Sequence, residues 1–300
     1  MYSTVGLLKN AKHSGKLVGT HQRLDRAARA WFTRMAPEHE FFPTAKEIQH
    51  FEGNRGPDGL KWKSPGIDEP MHFILPDNDD GKLVSMVLNH QYNLRQALKT
   101  GNRERAAFEA AWMAHAITDG LTPAHHFPYQ EAVSELMTDK EYVKIFGRPV
   151  KGIMRGDTIA EATRNNWLYW GVEGYMTKHI AFEYGVALVA APMTNKALIP
   201  KLKLAELKKY QDYEHIDLKS EFYASLKKID DLKMYDRFRK NGWNTELALE
   251  SKKILLPEIV KLITLGWISS LPIASGEPVE NSVENHKTTS GLTFENMEKK

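Results

Sequence analysis

The feature that most constrains the fold is a histidine and a carboxylate spaced four residues apart on the apolar side of a predicted helix. In segment 103–119 the apolar stripe continues to His115 and then to Asp119, one helical turn further on. A buried carboxylate is unfavourable unless it is paired or binds a metal ion. The spacing therefore predicts a buried pair, which is either a hydrogen bond in the core or a pair of metal ligands.

The same pattern recurs on two other predicted helices. His179 and Glu183 share the apolar stripe of segment 158–191, and His21 lies on the apolar side of segment 16–35, with Asp25 one turn further on. Helical bundles hold metal ions with side chains that project inward from facing helices. Repetition on separate helices therefore favours metal ligands over isolated core histidines.

Further candidate ligands lie in the breaks between these helices. His125 and His126 follow Pro123, so that either imidazole can converge on the helical pair; His125 is the predicted ligand. Asp58 and His72 lie in the long Gly-, Pro- and Asp-rich loop predicted over 52–80; long loops in domains are often functional, but neither residue by itself indicates a ligand. The chain has no cysteine, so that any metal must be held by His, Asp and Glu, a donor set that suits zinc.

The apolar periodicity predicts an all-α fold, with several helices in one domain. The domain is predicted over residues 1–274, followed by a disordered polar tail over 275–300. The predicted helices cover 16–35, 45–51, 82–99, 103–119, 158–191 and 246–269, the last with a bend near Pro257, and segment 202–240 is predicted to form exposed helices.

Charge and hydropathy give no support for a nucleic-acid partner or for a transmembrane segment. With 41 Lys and Arg against 38 Asp and Glu, the net charge of +3 gives no argument for a nucleic-acid partner. The most apolar stretch, 254–274, is interrupted by charged residues and is too short to predict a transmembrane segment. The first twenty residues lack the pattern of a signal peptide, so that a cytoplasmic location is expected unless a leader precedes this numbering.

Taken together, these residues resemble the zinc-dependent phospholipase C family, which is similar in fold to the single-strand-specific zinc nucleases. The family carries a helical His, then Asp-x13-His, then H-x3-D-x3-P-x-H, then H-x3-E. The matching residues, in chain order, are His21, Asp58, His72, His115, Asp119, Pro123, His125, His179 and Glu183. The resemblance covers residues 16–191.

The resemblance implies an all-α, multi-helix single domain with a trinuclear zinc cluster in a cleft, and phosphodiester hydrolysis by a metal-bound hydroxide. One zinc would be held by Asp58, His72, His115 and Asp119. A second would be held by His125, His179 and Glu183, with Asp119 as a bridge and His21 as a ligand of a third. Asp58 would be the catalytic general base. Two or three zinc ions per chain are therefore expected.

This chain departs from the family pattern in three respects. The family's third zinc is also bound by an N-terminal Trp, whereas no Trp precedes Trp31 here; Asp25 is an alternative ligand. Residues 130–160 resemble an insertion. Family members are typically exported, and no signal is visible here.

Three functions stay open at this point. The first is a phospholipase C-like hydrolase acting on a phospholipid or another phosphodiester, which the H-x3-E ending favours. The second is a phosphodiesterase or nuclease acting on a soluble phosphoester or nucleic acid. The third is a non-catalytic helical protein with a structural metal site.

Overall fold

Helices make up the regular secondary structure of the part of the chain that the structure describes. This computed structural model describes residues 19–37, 39, 41–59, 72–77, 81–128, 132, 136, 154 and 156–272. Its helices are α1 (Thr20–Met35), α2 (Ala45–His50), α3 (Lys82–Lys99), α4 (Arg103–Gly120), α5 (Ile159–Trp170), α6 (Tyr175–Ala190), α7 (Asn195–Leu198), α8 (Leu204–Gln211), α9 (Leu218–Asp230), α10 (Met234–Asn241), α11 (Thr245–Glu250) and α12 (Leu256–Ile268). The predicted all-α, single-domain fold is confirmed.

Helix α4 occupies the centre of the molecule. Gly101, with a φ of +70°, ends the preceding helix α3, and the Asn102 side chain caps α4 by accepting a hydrogen bond from the Arg105 amide at 3.0 Å. The second half of α4 is buried on nearly all sides. Its many alanines allow neighbouring helices to approach closely, so that α4 can carry functional side chains into the interior.

The C-terminal helix α12 forms the core behind the site. It packs against α1 and α4, the helices that carry His21 and His115. The fully buried Trp267 on α12 donates a hydrogen bond from Nε1 to the Ala110 carbonyl oxygen of α4 at 3.0 Å. This last third of the chain, which has no counterpart in the family resemblance, therefore holds two of the candidate ligand-bearing helices in place.

The prediction of a single long helix over 158–191 is wrong, because the structure divides this segment into α5 and α6. A Cβ added at Gly171 would lie 2.4 Å from the Trp167 carbonyl oxygen, and one at Gly174 would lie 2.5 Å from the Tyr169 carbonyl oxygen. The backbone thus folds back on the end of α5 in a turn that only glycine fits at these positions. His179 and Glu183 both remain on α6.

The predicted bend near Pro257 takes the form of a π-helical turn, Ser251–Leu255, which joins α11 to α12. Proline has no amide hydrogen for the helical ladder, so that the preceding turn loses its regular pairing. Segment 202–240 forms helices α8 to α10, but they are not simply exposed. They bury Phe222, Leu226 and Phe238 against the core.

Two predicted segments lie outside the described residues: the polar tail over 275–300 and most of the insertion over 130–160. Among the described helices, none has both the length and the apolar character that a membrane crossing requires.

Candidate metal centre

The site is built around the carboxylate of Asp119, at the C-terminal end of α4. Its Oδ1 lies 3.4 Å from His21 Nε2 and 3.9 Å from His125 Nε2. Its Oδ2 lies 2.5 Å from His72 Nδ1 and 3.3 Å from His115 Nε2. Four imidazoles from different parts of the chain thus surround one buried carboxylate.

Local structure after α4 explains how His125 and His72 reach this point. Helix α4 ends at Gly120, where a Cβ would lie 2.7 Å from a Leu83 side-chain atom, and Pro123 starts a short 3-10 turn, Pro123–His126. The Ile74 amide donates to the His125 carbonyl oxygen at 3.1 Å, and His125 Nδ1 donates to the His72 carbonyl oxygen. The extended segment 72–75 is therefore docked on this turn.

A second cluster lies beside the first and involves helix α6. Glu183 Oε1 lies 2.9 Å from His125 Nε2 and 3.2 Å from His179 Nε2. All three side chains are buried, and each offers one ligand atom within 4.8 Å of the others. His125 thus borders both Asp119 and Glu183.

Asp58 is the solvent-facing member of the site. Its Oδ1 lies 3.7 Å from His115 Nε2, and its side chain is 27% exposed, whereas that of Asp119 is 2% exposed. Burial acts to raise the pKa of Asp58, but the charges of His115, His21 and His72 together lower it to about 2. Asp58 is therefore an ionised carboxylate on the solvent-facing side of the cluster.

Three groups of side chains in the described residues can hold metal ions. They are His21, Asp58 and His115; His72, His115 and Asp119; and His125, His179 and Glu183. These groups contain all eight ligands that the sequence predicted.

Two residues considered as alternatives stand apart from these groups. Asp25 is buried but belongs to none of them, and His126 donates from Nε2 to the Gly120 carbonyl oxygen at 3.0 Å instead.

The charges of the site favour a bound cation. Burial acts to lower the pKa of His115, yet the surrounding carboxylates, Asp119 first among them, raise it well above its ordinary value. Burial acts to raise the pKa of Asp119, yet cationic groups that include His125 and His115 lower it well below its ordinary value. A buried cluster of carboxylates and imidazoles that stabilises positive charge at its centre fits metal ions.

Polar atoms without partners support the same conclusion. Within the described residues, both ring nitrogens of His21 and the Nε2 of His115 are buried without a hydrogen-bond partner. Buried polar atoms are almost always paired, and those that are not call for an explanation such as an ion. Coordination to a metal would satisfy these atoms, because a neutral imidazole binds a metal through a ring nitrogen.

Sequence reasoning missed one residue of the site. Glu52, which is 4% exposed, accepts a hydrogen bond from His115 Nδ1 through Oε2 at 3.4 Å. It lies in the Gly-rich loop, where no periodicity shows which side chains point inward. The only available signal was its position just after the predicted helix α2.

Comparison with known proteins found no match of any kind, whether to a protein-family model, a curated protein or a solved structure.

Proposed function

We propose that this protein is a zinc-dependent phosphodiester hydrolase of the phospholipase C type. The observation that carries the proposal is the position of Asp119, whose two carboxylate oxygens each face imidazoles from separate parts of the chain. A carboxylate so placed can bridge two metal ions. Adjacent metal ions are the arrangement that stabilises both the attacking and the leaving oxygen of a phosphoryl transfer.

Zinc is the metal that the donor set favours. Imidazole nitrogens and carboxylate oxygens, with no thiolate available, are the ligands of catalytic zinc sites. In this proposal Asp58, His72, His115 and Asp119 hold one ion. His72, His115 and Asp119 form one group in the structure, and Asp58 forms another with His115 and His21. His125, His179 and Glu183 hold a second ion. His21 contributes to a third ion.

The bound zinc ions would supply Lewis acidity, which polarises water and stabilises the negative charge on phosphoryl oxygens. Asp58 is ionised at neutral pH and partly open to solvent, so that its carboxylate can accept a hydrogen bond from the attacking water. The buried imidazoles and Asp119 keep the centre fixed, and water is excluded from its inner side by the packing of α4 and α12.

A phospholipid is the proposed substrate class, and exposed apolar side chains near helix α6 support it. Trp167 is 68% exposed, Trp170 is 44% exposed and Val172 in the following turn is 73% exposed. Tryptophan favours the boundary between water and lipid. Helix α6 starts three residues after Val172 and presents His179 in its second turn, so that a lipid surface at these residues lies close to the second cluster.

The test is a substrate panel on the zinc-loaded full-length protein. It comprises phosphatidylcholine vesicles, a short-chain soluble phosphatidylcholine, single-stranded DNA and a chromogenic phosphodiester. The proposal expects release of diacylglycerol and phosphocholine, which D58N should abolish. The matched control E109Q changes a buried glutamate that pairs with His90, outside the metal centre, and should retain activity.

Two outcomes would replace the proposal. Cleavage of DNA without cleavage of either lipid would indicate a nuclease. Stable metal binding without turnover of any substrate would indicate a structural metal site. A W167A/W170A variant tests the lipid surface separately, because it should lose activity on vesicles and keep activity on the soluble lipid.

A further inference from the structure

The turn that follows α2 directs a glutamate into the metal centre. Glu52 precedes a short 3-10 turn, Gly53–Arg55, and Gly53 has a φ of +66°. A Cβ added at Gly56 would lie 2.7 Å from the Phe51 carbonyl oxygen and 2.8 Å from Glu52 Cα. Glycine at both positions allows the chain to turn tightly enough to hold the Glu52 carboxylate against helix α4.

The contact that Glu52 makes determines which nitrogen of His115 carries the proton. A carboxylate oxygen accepts from an imidazole N–H, so that in the 3.4 Å contact with Glu52 the proton lies on His115 Nδ1. In the neutral imidazole that can bind a metal, the lone pair is then on Nε2. That atom lies 3.3 Å from Asp119 Oδ2 and 3.7 Å from Asp58 Oδ1, which is the side on which a metal would be bound.

A second histidine of the site is oriented in the same way by a different acceptor. His125 donates from Nδ1 to the backbone carbonyl oxygen of His72, and its Nε2 faces Glu183. A carbonyl oxygen can only accept, so that His125 also presents Nε2 to the centre. The two histidines thus share one tautomer, but the acceptor behind His115 is a side-chain carboxylate and the acceptor behind His125 is a backbone carbonyl.

The environment of Glu52 distinguishes it from a structural buried glutamate. Glu109 on α4, which is equally buried, is paired with His90 at 2.5 Å and with the Arg105 guanidinium at 2.5 Å. Within the described residues neither Glu52 Oε1 nor Glu109 Oε1 makes a hydrogen bond, but Glu109 Oε1 lies against the Arg105 guanidinium, whereas no ion pair with a lysine or arginine is seen for Glu52 there. The hydrogen bond of the Glu52 carboxylate is with His115, a candidate ligand; burial and then the neighbouring Glu52 carboxylate raise the pKa of Asp25.

We propose that Glu52 is a positioning residue, which fixes the Nδ1–H tautomer of His115, orients its ring and strengthens Nε2 as a ligand. Partners of this kind behind a ligating histidine contribute about 10- to 100-fold in metal affinity. The inference rests on metal binding, which is one part of the proposed function, and does not depend on the substrate.

The experiment compares zinc affinity in the full-length wild type, E52A, E52Q and E109Q by competition with a chromophoric chelator. In E52A the ion bound through His115 should weaken by about 10- to 100-fold, while the ion bound through His125 keeps its affinity. E52Q should weaken less, because the amide oxygen can still accept from Nδ1. E109Q should lower the melting temperature and leave both affinities unchanged.

The tautomer gives a readout that a merely structural role would not change. In wild-type protein, ¹⁵N NMR of the histidines should show His115 in the Nδ1–H form when zinc is bound, and cobalt-substituted E52A should show an altered visible spectrum. Wild-type affinity for both ions in folded E52A, or a proton on Nε2 of His115, would overturn the proposal. Should E52A fail to fold, the affinity of E52Q decides the question. Zinc binding without hydrolysis would instead contradict the proposed function alone.

Discussion

Zinc binding should stabilise this protein strongly, and the stabilisation should depend on Asp119. The centre gathers buried carboxylates and imidazoles whose ligand atoms lie close enough together to bind metal ions, and the unfolded chain does not bring them together. A ligand that binds only the folded state adds about 2.7 kcal/mol of stability per site at a free concentration of 100 times its dissociation constant.

The size of the effect follows from the number of separate ligand groups. Two independent ions at that concentration would add about 5 kcal/mol. For a chain of this size, about 2 °C in melting temperature accompanies each kcal/mol. Thermal unfolding in chelator and then in excess zinc should therefore differ by about 10 °C.

Variants assign the zinc-dependent increase in melting temperature to particular residues. D119N removes the carboxylate that lies between the two clusters and should abolish most of the increase, whereas E183Q affects only the second cluster and should leave about half. E109Q, the control outside the site, should show the full increase from a lower starting temperature. A full zinc-dependent increase in D119N would refute the view that Asp119 joins the two clusters.

Three further predictions test other parts of the structure. D58N should keep its fold by circular dichroism and lose most turnover of a chromogenic phosphodiester; wild-type turnover would exclude Asp58 as the group that accepts from water. G185A should lower the free energy of unfolding by about 1–3 kcal/mol in urea titrations, because a Cβ there would lie 1.9 Å from the Trp243 ring; an exposed helical site would show stabilisation instead. The Arg103 hydrogen bonds lower the pKa of Glu47 to about 2, below its ordinary value of 4.5, so that Glu47 contributes stability at neutral pH that is lost as the pH falls from about 5 toward 2. Both side chains of this pair are about a third exposed, so that E47Q should lower the free energy of unfolding by only about 0.5–1 kcal/mol at neutral pH. If wild type and E47Q still differ in stability at low pH, the ionised Glu47 is not the source of the difference.

The sequence predicts the parts of the site that helix geometry determines. His115 and Asp119, and likewise His179 and Glu183, are four residues apart, and any helix brings such residues onto one face. Their ligand atoms lie 3.3 Å and 3.2 Å apart in the structure. Periodicity does not show which helices face each other. The proximity of His21 to Asp119 could therefore be seen only in the three-dimensional structure.

Residues in the loops could not be placed by the same reasoning. Asp58 and His72 were identified as candidate ligands only from the spacing of the family motif. Glu52 was missed because it lies in a loop with no repeating pattern. The turn between α5 and α6 was missed for a different reason. Apolar residues continue through Gly171 and Gly174, and the close backbone approaches that break the helix there are tertiary features.

The most direct test of the account is the zinc content of the protein. Elemental mass spectrometry on full-length protein, purified without chelators or a histidine tag, should find two or three zinc ions per chain, and D119N should hold fewer. Absence of bound metal, even after reconstitution with zinc, would contradict the account and leave the histidine–carboxylate pairs as hydrogen bonds of the core.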